Sequence, residues 1–269
     1  MFISKDLYIY KQIQSLNITQ EIEDFPIEVH GVKSTGGLKS ALIIYLLAKE
    51  IQVNQYKQSI RPLISVIEGK GYQELKTEQV VDWIRQQFPD VEFLEPMRTI
   101  CANDYDIETD QWTKRKAEVD PILDLSRKAF FPKGHERTPQ GFQHRLVDTV
   151  WTGESARASV EDVAVFLANV DETYHLEDRG FDDEPVQDGR FFNPFINLTT
   201  LDIIKLYKEH GLEETLLPLT YSCDEWSNDY TKPCGVCSNC LEREWAITSV
   251  FPLEPHTTLE SALANYNMG

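Results

Sequence analysis

Between residues 27 and 94 the chain switches repeatedly between two hydrophobic periods. Residues 27–32 (I-E-V-H-G-V) alternate apolar and polar side chains, as a strand does. A polar turn follows, Ser34-Thr35-Gly36-Gly37. Within residues 38–51, Leu42, Ile43, Leu46 and Leu47 recur at helical spacing. Residues 63–67 are almost wholly apolar, the composition of a strand buried on both faces of a parallel sheet. Residues 74–88 form a second amphipathic helix that Pro89 stops, and 91–94 a third short strand. Parallel strands need a crossover between them, and a helix is the usual one. The order strand–helix–strand–helix–strand therefore predicts an α/β fold, a parallel sheet with helices on both faces.

Downstream the signals thin out. Residues 103–120 are acidic with weak periodicity, and 132–141 carry Pro132, Gly134, Pro139 and Gly141, which marks a loop. Residues 146–152 (L-V-D-T-V-W-T) read as a further sheet strand ending at Gly153, and 159–168 as a helix. Residues 171–188 hold eight acidic side chains against the single base Arg179, the composition of a solvated loop. A helix over 200–210 has Thr199 or Thr200 as its cap and Gly211 at its end. Another helix covers 241–250. This organisation predicts a lead-in over 1–24, a nucleotide-binding domain over 25–211, and a C-terminal metal-binding segment with a helical tail over 212–269.

Charge limits the partners. Among 269 residues, 26 Lys and Arg stand against 44 Asp and Glu, a net charge of −18. Nucleic-acid binding needs a basic face, so DNA or RNA is disfavoured as a partner. No apolar run approaches the roughly 18 residues of a membrane span. The first twenty residues mix Lys5, Asp6, Lys11 and Gln12 among apolar ones, unlike a signal peptide, which sets the expectation of a cytoplasmic protein.

Two motifs carry chemistry. The first is Ser34-Thr35-Gly36-Gly37-Leu38-Lys39-Ser40, set between a strand and a helix. Two glycines allow a tight turn that exposes successive N–H groups, and the helix adds its unpaired amides and positive dipole end, which together suit a phosphate. A Walker loop does not fit, because Gly37-Leu38 intervenes between Gly36 and Lys39-Ser40. The second is the cysteine set Cys223, Cys234, Cys237 and Cys240, spaced C-x10-C-x2-C-x2-C. A reducing cytosol disfavours disulfides, and closely spaced thiolates can converge on one metal. Structural zinc is the expected ion, with Gly235 and Asn239 helping a short loop wrap it. Iron–sulfur ligation is the competing reading, although ferredoxin-type runs place the fourth cysteine downstream beside proline rather than upstream. Cys101 stands apart.

Three stretches resemble the 7-cyano-7-deazaguanine synthase family, PP-loop ATP pyrophosphatases of queuosine-precursor synthesis. T-G-G-L-K-S at 35–40 is similar to the S-G-G-x-D-S signature of PP-loop enzymes. N-P-F-I-N-L-T-T-L-D-I-I-K-L-Y-K-E-H-G at 193–211 is similar to the family's P-L-x-x-L-[ST]-K-x-[DE]-I helix segment. L-T-Y-S-C at 219–223 with C-G-V-C-S-N-C-L-E-R-E-W-A at 234–246 is similar to L-T-W-S-C and C-G-x-C-x-x-C-x-x-R-x-x-A. Thr152-Gly153-Glu154 is a weaker echo of the step that ends a later PP-loop strand. The resemblance implies a PP-loop nucleotide-binding fold and ATP-dependent adenylation of a deazapurine carboxylate, followed by amidation and nitrile formation. It implies ATP contacts at Ser34, Thr35, Gly36, Gly37, Leu38, Ser40, Thr152 and Gly153, and a homodimer as a plausible assembly.

The sequence departs from that pattern twice at the reacting centre. Lys39 stands where an aspartate is expected beside Mg²⁺ and pyrophosphate, and Thr200 stands where a lysine would face the phosphates. One reading is compensation, in which Lys39 takes a catalytic part and Mg²⁺ is held differently or dispensed with. The other is a catalytically impaired PP-loop fold that serves as a nucleotide-binding or assembly partner. A third, weaker departure is Glu68-Gly69-Lys70, where the family has an aromatic-Gly-Gln step. Thiolation or amidation of RNA is a further PP-loop chemistry, which the −18 charge disfavours.

Overall fold

A computed structural model describes residues 27–67, 72–101, 146–153, 155, 187–188, 191–223, 232–235 and 237–252. These fall into two compact units, the first within 1–153 and 186–194, the second within 154–185 and 195–269. The division lies ahead of residue 211, the boundary expected from sequence, so the helix at 200 belongs with the cysteines rather than with the sheet.

The first unit is built on a seven-stranded sheet. Its elements are β1 (Val29–Ser34), α1 (Leu38–Asn54), β2 (Ser59–Ile67), α2 (Tyr72–Gln87), β3 (Glu92–Phe93), β4 (Met97–Cys101), β5 (Thr149–Trp151), β6 (Gln187–Asp188) and β7 (Phe191–Phe192). The order across the sheet is β3-β2-β1-β5-β7-β6, with β4 also on β2. Every pairing is parallel except β6 with β7. The strands and helices expected between 27 and 94 are all present within a few residues of their predicted ends, and the strand expected at 146–152 is β5. The expected helix at 159–168, the lead-in at 1–24 and the loop at 132–141 lie outside the described residues.

β4 is an element that sequence did not foretell. Ser59 pairs with Glu92 and Leu63 with Met97, so the edge strand takes five residue steps where β2 takes four. The extra residue falls beside Pro96, which has no N–H to give to the ladder. β3 and β4 are thus one edge strand broken by a proline-marked bulge.

α1 is buried almost all round. Ala41, Leu42, Ile44, Leu47 and Ala48 have no solvent exposure. It packs on β1, β2 and α2. Tyr45 meets Phe88 edge-on at 5.3 Å between ring centroids and stacks near Trp83 at 6.4 Å. β1 is covered on both faces, since His30 and the adjacent Gly31 are both buried. The alternation of 27–32 had placed His30 on a polar face. Instead it sits in a buried chain of hydrogen bonds: Trp151 Nε1 donates to Thr149 Oγ1 (2.9 Å), Thr149 Oγ1 lies 2.8 Å from His30 Nδ1, and His30 Nε2 lies 3.2 Å from Gln58 Oε1. Gln58 Oε1 can only accept, so Nε2 carries the ring proton and Nδ1 accepts from Thr149. Burial pulls the His30 pKa down to about 4, against a smaller opposing effect of the Gln58 contact. At neutral pH the ring is uncharged.

The second unit contains α3 (Thr200–Glu209), a 3₁₀ turn (Leu217–Leu219) and α4 (Ser238–Val250). Thr199 is the cap of α3: its hydroxyl accepts from the Asp202 N–H while the Asp202 carboxylate accepts from the Thr199 N–H. Such a reciprocal box stabilises a helix start by about 1 kcal/mol. Gly211 follows the helix with φ of 65°. Ile203, Ile204 and Tyr207 of α3 and Ala246 of α4 are fully buried where the two helices pack together. Among the described residues no helix is long and apolar enough to cross a membrane.

Candidate functional site

Two arrangements have chemical potential, one in each unit. The first lies at the carboxyl ends of β1 and β5, which are neighbours although they are far apart in sequence. From β1 the chain runs outward through β2 to β3 and β4, then returns to β5 on the opposite side. That reversal is where open parallel sheets leave a crevice for ligands.

The turn from β1 into α1 lines this crevice. Gly36 has φ of 73°, and a Cβ there would stand 2.5 Å from Lys76 Cβ and 2.7 Å from Thr77 N. Only glycine lets the turn lie this close to α2. The Ser34 hydroxyl, buried, donates to Thr77 Oγ1 at 3.4 Å, and Thr77 Oγ1 donates to Gln73 O at 2.9 Å. The turn is tied to α2 rather than loose. Gly153 comes as close from the other side: a Cβ on it would be 2.8 Å from Lys39 Cβ and 3.2 Å from Ser40 N.

The start of α1 carries no side-chain cap at Gly37 and no acidic residue in its first turn. A helix start of this kind concentrates positive potential and suits an anion. Of the residues expected to contact ATP, Thr35, Gly37, Thr152 and Gly153 are half-exposed here, as is Lys39. The other four are turned inward, which departs from the expectation that they line the cleft. Ser34 is 1% exposed and Ser40 6%, with the Ser40 hydroxyl on Gly37 O at 3.1 Å. Leu38 sends its side chain into the core, and Gly36 is covered by α2. Both serine hydroxyls brace the turn.

Thr200 does not reach toward a ligand. It is buried, and its hydroxyl donates to Glu242 Oε1 of α4 at 2.7 Å. The segment Glu68-Gly69-Lys70 lies outside the described residues.

The second arrangement is the cysteine set. The sulfurs of Cys223, Cys234, Cys237 and Cys240 all lie within 4.8 Å of one another, and none is in a disulfide. Cys237 is the N-cap of α4, Cys240 lies in its first turn, and Gly235 takes φ of 75° to bring Cys234 round. Backbone amides point at the sulfurs: Cys234 N donates to Cys223 Sγ and Cys237 N to Cys234 Sγ, both at 3.3 Å. Burial, together with the crowding of neighbouring sulfurs, pushes the Cys223 thiol up to about 12. A hydrogen bond with Cys237, then burial, pushes Cys240 up as well. Four such sulfurs cannot all ionise without a cation among them, and a bound metal supplies one.

The donor set fits a metal. Four ligands at about 2.3 Å from a single tetrahedral zinc stand about 3.8 Å apart. Cys234 Sγ and Cys240 Sγ are 4.0 Å apart.

No family model matches this sequence, and no curated protein matches it. In structure the chain is similar to the U34-tRNA thiolase NcsA from Methanococcus maripaludis, solved with its [4Fe-4S] cluster, at 10% identity and a TM-score of 0.42, covering 100% of this chain and 82% of that one. A likeness at this level says nothing about chemistry or substrate.

Proposed function

We propose that this chain is a PP-loop protein that binds ATP in the crevice between β1 and β5 and uses it to activate a small carboxylate, in the manner of the 7-cyano-7-deazaguanine synthase family. The observation that carries the reading is the start of α1, which has no side-chain cap at Gly37 and lies between Gly36, pressed against α2, and Gly153 after β5, at the point where strand order reverses. Thr35, Gly37 and Gly153 would receive the phosphates through backbone and hydroxyl donors. Lys39, in the first turn, would meet the pyrophosphate as it leaves. A lysine near a helix N-terminus is disfavoured by the dipole unless an anion is present.

A carboxylate is a poor acceptor for ammonia because its oxygen is a poor leaving group. In adenylation that oxygen attacks the α-phosphorus of ATP and expels pyrophosphate, whose charge the loop amides and Lys39 would stabilise; the oxygen then leaves with AMP when ammonia attacks the carbonyl carbon. Mg²⁺, when bound, neutralises part of the same charge. Residues 34–40 contain no carboxylate to hold it, so its ligands would be phosphates and groups elsewhere. The four cysteines would hold one structural zinc, with all four positions filled by protein. The setting would be the cytoplasm, with no nucleic acid or membrane as partner.

A second reading has its own support. Thr200, in the place of a phosphate-facing lysine, gives its hydroxyl to Glu242 and serves the packing of α3 on α4. That favours a nucleotide-binding or assembly protein without turnover.

Incubation with ATP, 7-carboxy-7-deazaguanine and ammonium separates the two. The activation reading expects AMP and pyrophosphate in step with nitrile formation. Calorimetry with ATP then decides the binding step: Lys39→Ala should weaken affinity about tenfold, as loss of a charge-assisted contact does. ATP binding without AMP release supports the second reading as a nucleotide binder; no ATP binding overturns the activation reading and leaves the second only as an assembly role.

A further inference from the structure

The four sulfurs come from two pieces of chain. Cys234, Cys237 and Cys240 sit on the turn and first helical turn that open α4, whereas Cys223 lies ten intervening residues upstream, after the 3₁₀ turn. Bringing that fourth ligand to the other three means closing a loop and ordering its end, which costs conformational entropy.

Arg243 supplies a tie between the two pieces. It lies on α4, three residues beyond Cys240, on the adjacent turn of the same helix. Its Nη1 donates to Thr220 Oγ1 and its Nη2 to Leu217 O, each at 2.9 Å. Thr220 Oγ1 itself donates to Leu217 O at 2.8 Å. The guanidinium thus grips the 3₁₀ turn at its first residue and at its C-cap, three residues before Cys223. Tyr221 and Cys223 are both buried in the wake of this grip, at 7% and 2% exposure. A planar fork with two donors in fixed relation sets distance and angle together, which a single ammonium does not. The bond from Cys234 N to Cys223 Sγ belongs to the ligand set itself and does not hold Cys223 independently of it.

Resting on the four-cysteine metal reading above, we propose that Arg243 is a positioning residue that presents Cys223 to the other three sulfurs, so that the site is assembled before the metal arrives. The metal then binds a preformed set of four sulfurs rather than three with a distant fourth.

The test uses the full chain and zinc, with affinity read by chelator competition and ligand geometry read from the absorption of the cobalt(II)-substituted protein. Arg243→Ala should weaken zinc about 10- to 100-fold, the usual effect of removing a group that orients a ligand. Arg243→Lys, which keeps the charge but not the fork, should lose affinity in the same direction, and it carries the test if the alanine variant does not fold. In a Cys223→Ser background, changing Arg243 should alter zinc affinity no further, because its effect runs through Cys223. Wild-type zinc affinity in both variants would overturn the proposal. So would an equal loss in both backgrounds, which would make Arg243 a general support of the fold. Failure of the wild-type chain to bind either zinc or cobalt would instead overturn the metal reading itself.

Discussion

Gly36 and Gly235 both take positive φ in turns that open a helix, and the two turns depend on their glycine for different reasons. Gly36 (φ 73°) has Lys76 and Thr77 so close that any Cβ would collide with them. Gly235 (φ 75°) has no heavy atom within 4 Å of where its Cβ would be. The first turn is shaped from outside, by a helix pressed against it. The second is shaped from within, by the cysteines it must bring together. Backbone packing therefore governs the crevice of the first unit, and side-chain chemistry governs the cysteine cluster of the second.

The largest expected effect comes from the zinc proposed for the four cysteines. Stripping it with a strong chelator should destabilise the second unit by an amount on the order of 10 kcal/mol, as for small modules organised by structural zinc. Calorimetry with and without chelator, paired with elemental analysis, reads this directly; an unchanged transition would break the contrast. Gly36→Ala comes next. Left-handed strain of about 1–2 kcal/mol adds to an overpacking cost of about 1–3 kcal/mol, so a loss of about 4 kcal/mol is expected in denaturant unfolding, with metal content untouched.

Acid separates the units further. The folded pKa of His30 is about 4 and its unfolded value 6.5, so the folded state binds the proton less readily. Its stability is intact above pH 6.5 and is lost progressively as pH falls through 4, by about 3 kcal/mol in all. His30→Gln should flatten that part of the profile in metal-free protein, where cysteine ligation cannot contribute. The smallest effect belongs to Gly235→Ala, which meets strain without collision and should cost about 1 kcal/mol. Equal losses at Gly36 and Gly235 would show that crowding around the first turn is not what holds it.

Much of the first unit was legible because its residues obey one period at a time. Leu42, Ile43, Leu46 and Leu47 announce α1, and the apolar run at 63–67 announces β2. Thr199 with Asp202 three residues later announces the cap of α3. β4 was hidden because M-R-T-I-C follows Pro96, which reads as the end of a strand, and only the neighbouring β2 shows that the strand resumes. β6 and β7 have two residues each, too few to carry a period. The cysteine cluster was fully legible, since its spacing is local. The crevice was legible in its outline, and the contacts that shape it were not. Sequence reveals that 34–40 is a turn with hydroxyls; it does not reveal that Thr77 waits for the Ser34 hydroxyl, or that His30 answers to Trp151 through Thr149. Those partners are set by packing between segments that no local pattern connects.

The bulge at Pro96 has a consequence for how copies of this chain can meet. A sheet ends in rows of unsatisfied N–H and C=O groups, which are templates for another strand. Here one border is broken by a proline and an out-of-step residue, and the other closes with a two-residue strand running against its neighbour. Among the described residues, neither border offers an unbroken run longer than the five residues of β4, so an incoming strand would find at most that short template to pair with.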